Sequence, residues 1–170
     1  RRVAETMYAF TGFPDGGGMI GGFTDVQFSG RESAEMFRFD SVGRTMWSKE
    51  IDYSRSDHFH LLLKRASGGY YFAGHTDSKG DTRGDMWLVR LDDNRDSVWE
   101  RVYDNGGGEH AHHGFETPDG GMLLFGHANV NAHEKWWVLK TDSMGVKQWD
   151  TILSSGATYN VSPYHAFLTR

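Results

Sequence analysis

The chain carries the same residue pattern three times, at a spacing of 52 residues. A Gly-Gly pair follows Asp15, then Ser67, then Asp119. Three further sets recur in step, with a last interval two residues shorter for the Asp and Trp sets: Gly22, Gly74 and Gly126; Asp40, Asp92 and Asp142; Trp47, Trp99 and Trp149. A fixed period of this size is typical of stacked or radially arranged units, so the recurring residues are expected to serve the architecture.

Each unit is predicted to form four short strands. In the middle unit, residues 57–104, four apolar or alternating runs are separated by breaks that contain Gly, Asp or Asn. The runs are too short for helices, and none shows apolar residues at i, i+3, i+4 and i+7. Four antiparallel strands in about 50 residues match the size of a β-propeller blade.

The sequence therefore predicts an all-β chain that is a β-propeller or a propeller fragment, with three four-stranded blades of about 52 residues plus one extra strand. The predicted blades are 5–56, 57–108 and 109–160, and residues 161–170 form the first strand of a further blade. Three blades do not close a ring, since propellers usually have roughly four to eight. Either further blades of the same chain or another copy complete it. Further blades are favoured, because both ends of the sequence fall inside the repeat and open sheet edges are a liability.

Two of the recurring sets are assigned structural roles. The second strand of each unit is nearly all apolar, which predicts an inner strand that is covered on both faces. The glycine near its end (Gly22, Gly74 or Gly126) is expected to let the backbone of the next blade approach. The periodic Trp47, Trp99 and Trp149 are expected to be structural as well.

Two stretches of the third unit carry a family resemblance. They are DGGMLLFGHAN, which starts at Asp119, and KWWVLKTDSMGVKQWDTIL, which starts at Lys135. Both resemble the repeat of secreted and cell-surface bacterial β-propellers. The Asp-x-x-Gly-x-x-x-Trp pattern is similar to the Trp-docking motif of quinoprotein-type blades, and Gly21-Gly22 followed by a distant Asp and Trp resembles kelch. The middle unit departs from the pattern, since Arg95 stands where the other units have Gly. The resemblance implies a secreted or cell-surface location and leaves the function open.

Composition excludes several classes of protein. The formal charge is −5 with mixed signs, which argues against a nucleic-acid partner. The mean hydropathy is −0.60, and no run approaches the roughly 18 apolar residues of a membrane span. The chain has no cysteine, so disulfides and thiolate sites are excluded. No cofactor and no catalytic residue are predicted.

The chain contains nine histidines, and they are its strongest candidates for a chemical role. On strands, a His-x-His spacing places both rings on one face, and those faces are neighbours in adjacent blades. Imidazoles bind zinc, copper or nickel, so the converging residues are weak metal candidates: His58, His60, His110, His112 and, less directly, His113. The packing alternative is favoured. Tyr8 occupies the position of His60 and His112 in the first unit, and Phe23 occupies that of His75 and His127, which indicates slots for flat rings.

Two other features have both a functional and a purely structural interpretation. Trp87 and Trp136 on the third strands stack on a glycan or a protein if exposed, and pack between blades if not. The acidic, Gly-rich loop of residues 77–85 offers oxygen ligands for calcium, although a solvated loop is the favoured interpretation.

The leading hypothesis is a non-catalytic binding or scaffolding module of a secreted or cell-surface bacterial protein, which engages a glycan or a protein through its blade loops. The alternatives are an enzyme with an axial, histidine-lined site, with or without a metal, and a subunit that self-assembles into a filament or ring through its open edges.

Overall fold

The computed structural model describes residues 3–26, 31–51, 53–80 and 83–153, and the strand predicted for residues 161–170 lies outside them. The described residues form twelve strands and contain no helix, which confirms an all-β chain. None of these elements is a helix long and apolar enough to cross a membrane.

The strands form three separate four-stranded antiparallel sheets. Sheet 1 consists of β1 (Val3–Gly12), β2 (Gly18–Val26), β3 (Glu32–Phe39) and β4 (Thr45–Ile51). Sheet 2 consists of β5 (Asp57–Lys64), β6 (Tyr70–Thr76), β7 (Asp85–Leu91) and β8 (Ser97–Tyr103). Sheet 3 consists of β9 (Glu109–Glu116), β10 (Met122–Val130), β11 (His133–Thr141) and β12 (Lys147–Leu153). Each sheet is an up-and-down meander in sequence order.

The sheets stack face to face, and sheet 2 lies in the middle. One apolar cluster fills the space between sheets 1 and 2 and includes Met36, Phe59 and Phe72. A second cluster fills the space between sheets 2 and 3 and includes Leu88 and Leu124. All seven residues of β6 are buried, as expected for a strand covered on both faces. Burial of these faces supplies the main driving force for the stack.

A bulge interrupts the first strand of every sheet. Tyr8 in β1, His60 in β5 and His112 in β9 are skipped by the register with the second strand. The bulge brings the carbonyl of the residue two positions earlier onto the recurring glycine. A Cβ on Gly74 would lie 1.9 Å from the carbonyl oxygen of His58. The expectation that this glycine admits the next blade is therefore wrong: it admits the neighbouring strand of its own sheet, because the bulge pushes that strand inward.

The turns between the third and fourth strands share one geometry. The Oδ1 atom of Asp40 accepts hydrogen bonds from backbone amides two and four residues ahead, and Asp142 does the same. The backbone then turns through positive φ, at 80° in Gly43 and 73° in Gly145. Arg95 adopts the same φ of 73° without being glycine, which is strained for an L-residue.

The periodic tryptophans pack against the turn of the following sheet. Trp99 lies against Gly145, where an added Cβ would come within 2.7 Å of the indole ring. Trp47 lies against the equivalent position in sheet 2, with the Arg95 guanidinium 5.4 Å from its ring centroid. Trp149 has no described sheet after it and is 49% exposed.

Candidate functional site

The bulges determine where the candidate site forms. A bulged residue leaves the regular alternation of faces, so its side chain is re-aimed. Tyr8, His60 and His112 therefore project from equivalent points on β1, β5 and β9. The rings of Tyr8 and His60 stack at 4.5 Å between centroids, and those of His60 and His112 lie 5.2 Å apart.

Six histidines converge around these positions, in two groups of three. Each group contains two residues of a first strand and one of the adjacent second strand. Within each group, one ring nitrogen per residue lies within 4.8 Å of the others; the groups are His58, His60 and His75, and His110, His112 and His127. We call them the first and the second histidine group.

Unpaired nitrogens distinguish the first group. Nε2 of His58 lies 2.6 Å from a carboxylate oxygen of Glu32, from sheet 1. Nε2 of His60 and Nδ1 of His75 are buried and have no hydrogen-bond partner. A buried polar atom without a partner costs about 1–3 kcal/mol, so two of them side by side require an explanation.

The second group is more nearly saturated. Nε2 of His112 and Nδ1 of His127 lie 2.9 Å apart and share a hydrogen bond. Nε2 of His127 also lies 3.9 Å from a carboxylate oxygen of Glu134. These contacts give His112 and His127 partners from their own sheet.

The two groups touch each other. The Nδ1 atoms of His60 and His112 are 3.4 Å apart. The rings of His75 and His110 stack, with centroids 3.9 Å apart and planes inclined by 14°. The six rings thus form one continuous cluster across the boundary between sheets 2 and 3.

Aromatic rings continue the same stack into sheet 1. The ring of Phe23 stacks on His58 at 4.1 Å, as that of His75 stacks on His110. Flat rings therefore fill equivalent positions whether or not they carry nitrogen, and the predicted ring slots are present. The slot alone does not account for nitrogen in six of them, because phenylalanine fills the same space without a buried polar atom.

Burial holds the imidazoles neutral. Removal from water, and then repulsion by neighbouring histidines, lowers the pKa of His60 to about 2, of His110 to about 3 and of His112 to about 4. The same two causes lower the pKa of His75, and burial also lowers that of His127. At neutral pH these rings carry no charge, and a neutral imidazole has one ring nitrogen that can accept a hydrogen bond or bind a metal ion.

The cluster is accessible at one end. A cavity of about 280 Å³ is lined by Tyr8, His60, His112 and His113 together with apolar residues of β1 and β5. This cavity gives a small ion or solvent a route to the bulged histidines.

The predicted tryptophan sites differ from one another. Trp87 is fully buried and its indole NH donates to Glu100 at 3.1 Å, so the expectation that it stacks on a ligand is wrong. It packs against sheet 1 because third-strand residues on this face point into the boundary. Trp136 is 46% exposed on the outer face of sheet 3, and its role in binding stays a prediction.

The sequence predicts a packing role alone for two members of the cluster, His75 and His127. His75 pairs directly with His58 across the strands, and His127 pairs with His110. The available signal was their shared 52-residue spacing together with the turn at Ser67-Gly68-Gly69, which fixes the cross-strand register. The bulge then brings His60 and His112 beside these pairs.

A second polar cluster lies where sheets 2 and 3 connect. Carboxylate oxygens of Asp85, Asp104 and Glu109 lie within 4.8 Å of one another. Burial, and then the neighbouring carboxylates, raise the pKa of Glu109 to about 7, against hydrogen bonds from backbone amides. Among the described residues of the acidic loop that was weighed as a calcium site, Asp85 belongs to this cluster. Lys79 pairs instead with Glu100 at 2.8 Å.

Comparisons with known proteins give a fold likeness and nothing more specific. No protein-family model matches the chain, and no curated protein matches it. A solved chain described as "Crystal structure of the eukaryotic initiation factor" is similar with a TM-score of 0.53 and 10% sequence identity, over 87% of this chain and 32% of that one. This chain thus spans about a third of that neighbour's length, and the likeness concerns the fold alone.

Proposed function

We propose that this chain is three consecutive blades of a β-propeller and works as a non-catalytic binding and scaffolding module. The observation that carries the proposal is the repeat relation between buried and exposed positions. Residues that are buried in the two internal boundaries have exposed equivalents on the two outer faces of the stack. Such faces are expected to be covered in the assembled protein.

The outer face of sheet 3 illustrates this relation. Trp136, Trp149 and Leu153 are 46%, 49% and 46% exposed. In sheet 2 the equivalent residues, Met86, Trp99 and Tyr103, are buried against sheet 3. Three large apolar side chains on one face of a soluble sheet are costly unless another surface covers them.

The outer face of sheet 1 shows the complementary relation. Met7 and Phe10 are 61% and 64% exposed. Their equivalents in sheet 2, Phe59 and Leu62, are buried against sheet 1. The open face of sheet 1 thus has the positions that receive a preceding sheet, and that of sheet 3 has the positions that receive a following one.

The occupant that fits these faces is a further four-stranded sheet of the same repeat. Repetition of the same contacts, sheet after sheet, is how propellers and other repeat folds bury faces that one unit cannot bury alone. Either further blades of a longer chain or a second copy supplies that sheet.

Sedimentation velocity over a range of protein concentrations tests the proposal. We expect the 170-residue chain to self-associate, and Trp149→Lys to weaken that association because it places a charge on the outer face of sheet 3. Val98→Lys is the matched control, since Val98 remains 48% exposed on sheet 2, both of whose faces are already covered. A chain that stays monomeric, together with a longer reading frame that lacks further units of this repeat, would contradict the proposal.

The resemblance to secreted and cell-surface bacterial propellers supports a location outside the cell, with a glycan or a protein as the ligand. An exposed aromatic residue such as Trp136 is suited to both classes of ligand. A ligand and a further sheet would compete for Trp136, so it would bind a ligand where sheet 3 is the last sheet of the assembly. A glycan array probed with the chain and with Trp136→Ala tests the glycan ligand, and the expected result is a signal that the variant loses.

A further inference from the structure

We propose that the first histidine group, His58, His60 and His75, binds one divalent transition-metal ion. This site goes beyond scaffolding and does not depend on the chain being part of a propeller. It stands on three observations: three imidazole nitrogens within 4.8 Å of one another, two of the residues carrying unpaired buried nitrogens, and a carboxylate bonded to the third.

The unpaired nitrogens favour the first group over the second. Nε2 of His60 and Nδ1 of His75 are buried without a hydrogen-bond partner, and a metal ion would satisfy both. In the second group, the bond between His112 and His127 already occupies two nitrogens. The assignment to the first group therefore follows from which lone pairs are available.

Glu32 is the positioning residue of the proposed site. Its carboxylate lies 2.6 Å from Nε2 of His58, which leaves Nδ1 of His58 as the nitrogen available to the ion. Ligating histidines commonly have their second nitrogen held by a carboxylate, which fixes the tautomer and the ring orientation. Because Glu32 comes from β3, the stacking of sheet 1 on sheet 2 completes the site.

The donor set selects the class of ion. Neutral imidazoles suit zinc, copper and nickel, whereas calcium and magnesium prefer oxygen ligands. Three protein nitrogens leave at least one coordination position open. The cavity lined by Tyr8, His60 and His112 provides an entry path.

The residues of the first unit suggest substitutions that test the metal site while keeping its packing. His60→Tyr with His75→Phe installs the rings that the chain itself has at Tyr8 and Phe23, so the double variant removes two ligands and keeps the ring slots filled. His112→Tyr with His127→Phe makes the same change in the second group. His133→Ala is the control for a histidine outside both groups.

Isothermal titration of the untagged chain with Zn²⁺ gives the readout, with circular dichroism to verify the fold of each variant. We expect wild type to bind one ion, and the first double variant to bind it at least about 100-fold more weakly. Glu32→Gln should weaken binding about 10-fold through the orientation of His58. The second double variant and His133→Ala should bind as wild type does.

Several results would overturn the assignment. Undetectable binding by wild type would remove the site. Equal weakening by the two double variants, or unchanged binding by the first, would place the ligands elsewhere. If the first double variant fails to fold, visible absorption of the Co²⁺-loaded wild type and Glu32→Gln proteins decides, since nitrogen ligation at this site predicts a band that Glu32→Gln alters.

Discussion

The boundary between sheets 1 and 2 and the boundary between sheets 2 and 3 use equivalent repeat positions but fill them differently. Between the first two strands of sheets 1 and 2, Tyr8 and Phe23 from sheet 1 stack on the histidines of sheet 2. Between the first two strands of sheets 2 and 3, His60 and His75 contact histidines of sheet 3. Position in the repeat thus determines that a flat ring lies there, and the residue type determines whether that ring can ionise or bind a ligand.

Acidification is expected to destabilise the boundary between sheets 2 and 3 more than the boundary between sheets 1 and 2. Unfolded histidine has a pKa of about 6.5, whereas in the fold it is about 3 for His110 and about 4 for His112. Between about pH 6.5 and 4 the unfolded chain takes up protons that the fold does not, so stability falls as the pH falls. Each of these histidines contributes about 1.4 kcal/mol per pH unit. His60, His75 and His127 add to the same slope, because burial lowers their pKa as well.

Urea unfolding between pH 7 and pH 4 measures this slope. The variant with His60→Tyr and His112→Tyr removes two of the five histidines whose pKa is lowered, so it should lose about two fifths of the histidine contribution, since the carboxylates are common to both proteins. Hydrogen exchange should show a larger acid-induced loss of protection in β9 than in β1, the equivalent edge strand of sheet 1. Equal slopes for wild type and variant would mean that the neutral cluster does not govern the response to acid.

Gly74→Ala tests the bulge that both boundaries share. The new methyl group would lie 1.9 Å from the carbonyl oxygen of His58, so the bulge must straighten or the strands must part. We expect a loss of roughly 3 kcal/mol in the free energy of unfolding, and the same from Gly22→Ala, where the carbonyl oxygen of Thr6 lies 1.8 Å away.

Gly12→Ala is the matched control for the bulge variants, because a Cβ there meets nothing within 4 Å. Chemical denaturation of the three variants gives the comparison. If Gly74→Ala proves as mild as Gly12→Ala, the bulge is not a fixed feature of the sheet.

The sequence was sufficient for the parts of the fold that local chemistry determines. Period, strand number and turn chemistry follow from Gly, Asp and apolar alternation, and Gly43 and Gly145 lie at positive φ as their turns require. The bulge was not predictable from the sequence. Its one signal is the recurring glycine, and that glycine is needed because a carbonyl of the neighbouring strand lies against it. The sequence left two interpretations of Trp87 open and placed His75 outside the histidine cluster, because both outcomes depend on which faces meet when the sheets stack.

Among the described residues, a tryptophan packs on the turn between the third and fourth strands in sheet 3 but not on the equivalent turn in sheet 1. In Gly145→Ala the new Cβ would lie 2.7 Å from the Trp99 ring and would also be strained by the positive φ. Gly43 has a similar φ of 80°, and an added Cβ there would meet nothing within 4 Å. We expect Gly43→Ala to cost about 1 kcal/mol and Gly145→Ala about 2–3 kcal/mol by thermal unfolding. Equal costs would show that Trp99 does not press on the turn.

Arg95→Gly is the smallest expected change and tests whether the first boundary has adapted to its exception. Glycine relieves about 1 kcal/mol of strain at a φ of 73°. Glycine also raises the conformational entropy of the unfolded chain, and it removes the guanidinium that lies 5.4 Å from the Trp47 ring centroid. These two effects together cost about 1 kcal/mol of stability. The free energy of unfolding should therefore change by less than about 0.5 kcal/mol.

The reciprocal variant, Gly145→Arg, places a long side chain where Trp99 already packs. A large loss of unfolding free energy from Gly145→Arg, beside a negligible change from Arg95→Gly, would show that each boundary is adapted to its own turn residue. A gain of a full 1 kcal/mol from Arg95→Gly would instead mean that Arg95 contributes nothing to the packing of Trp47.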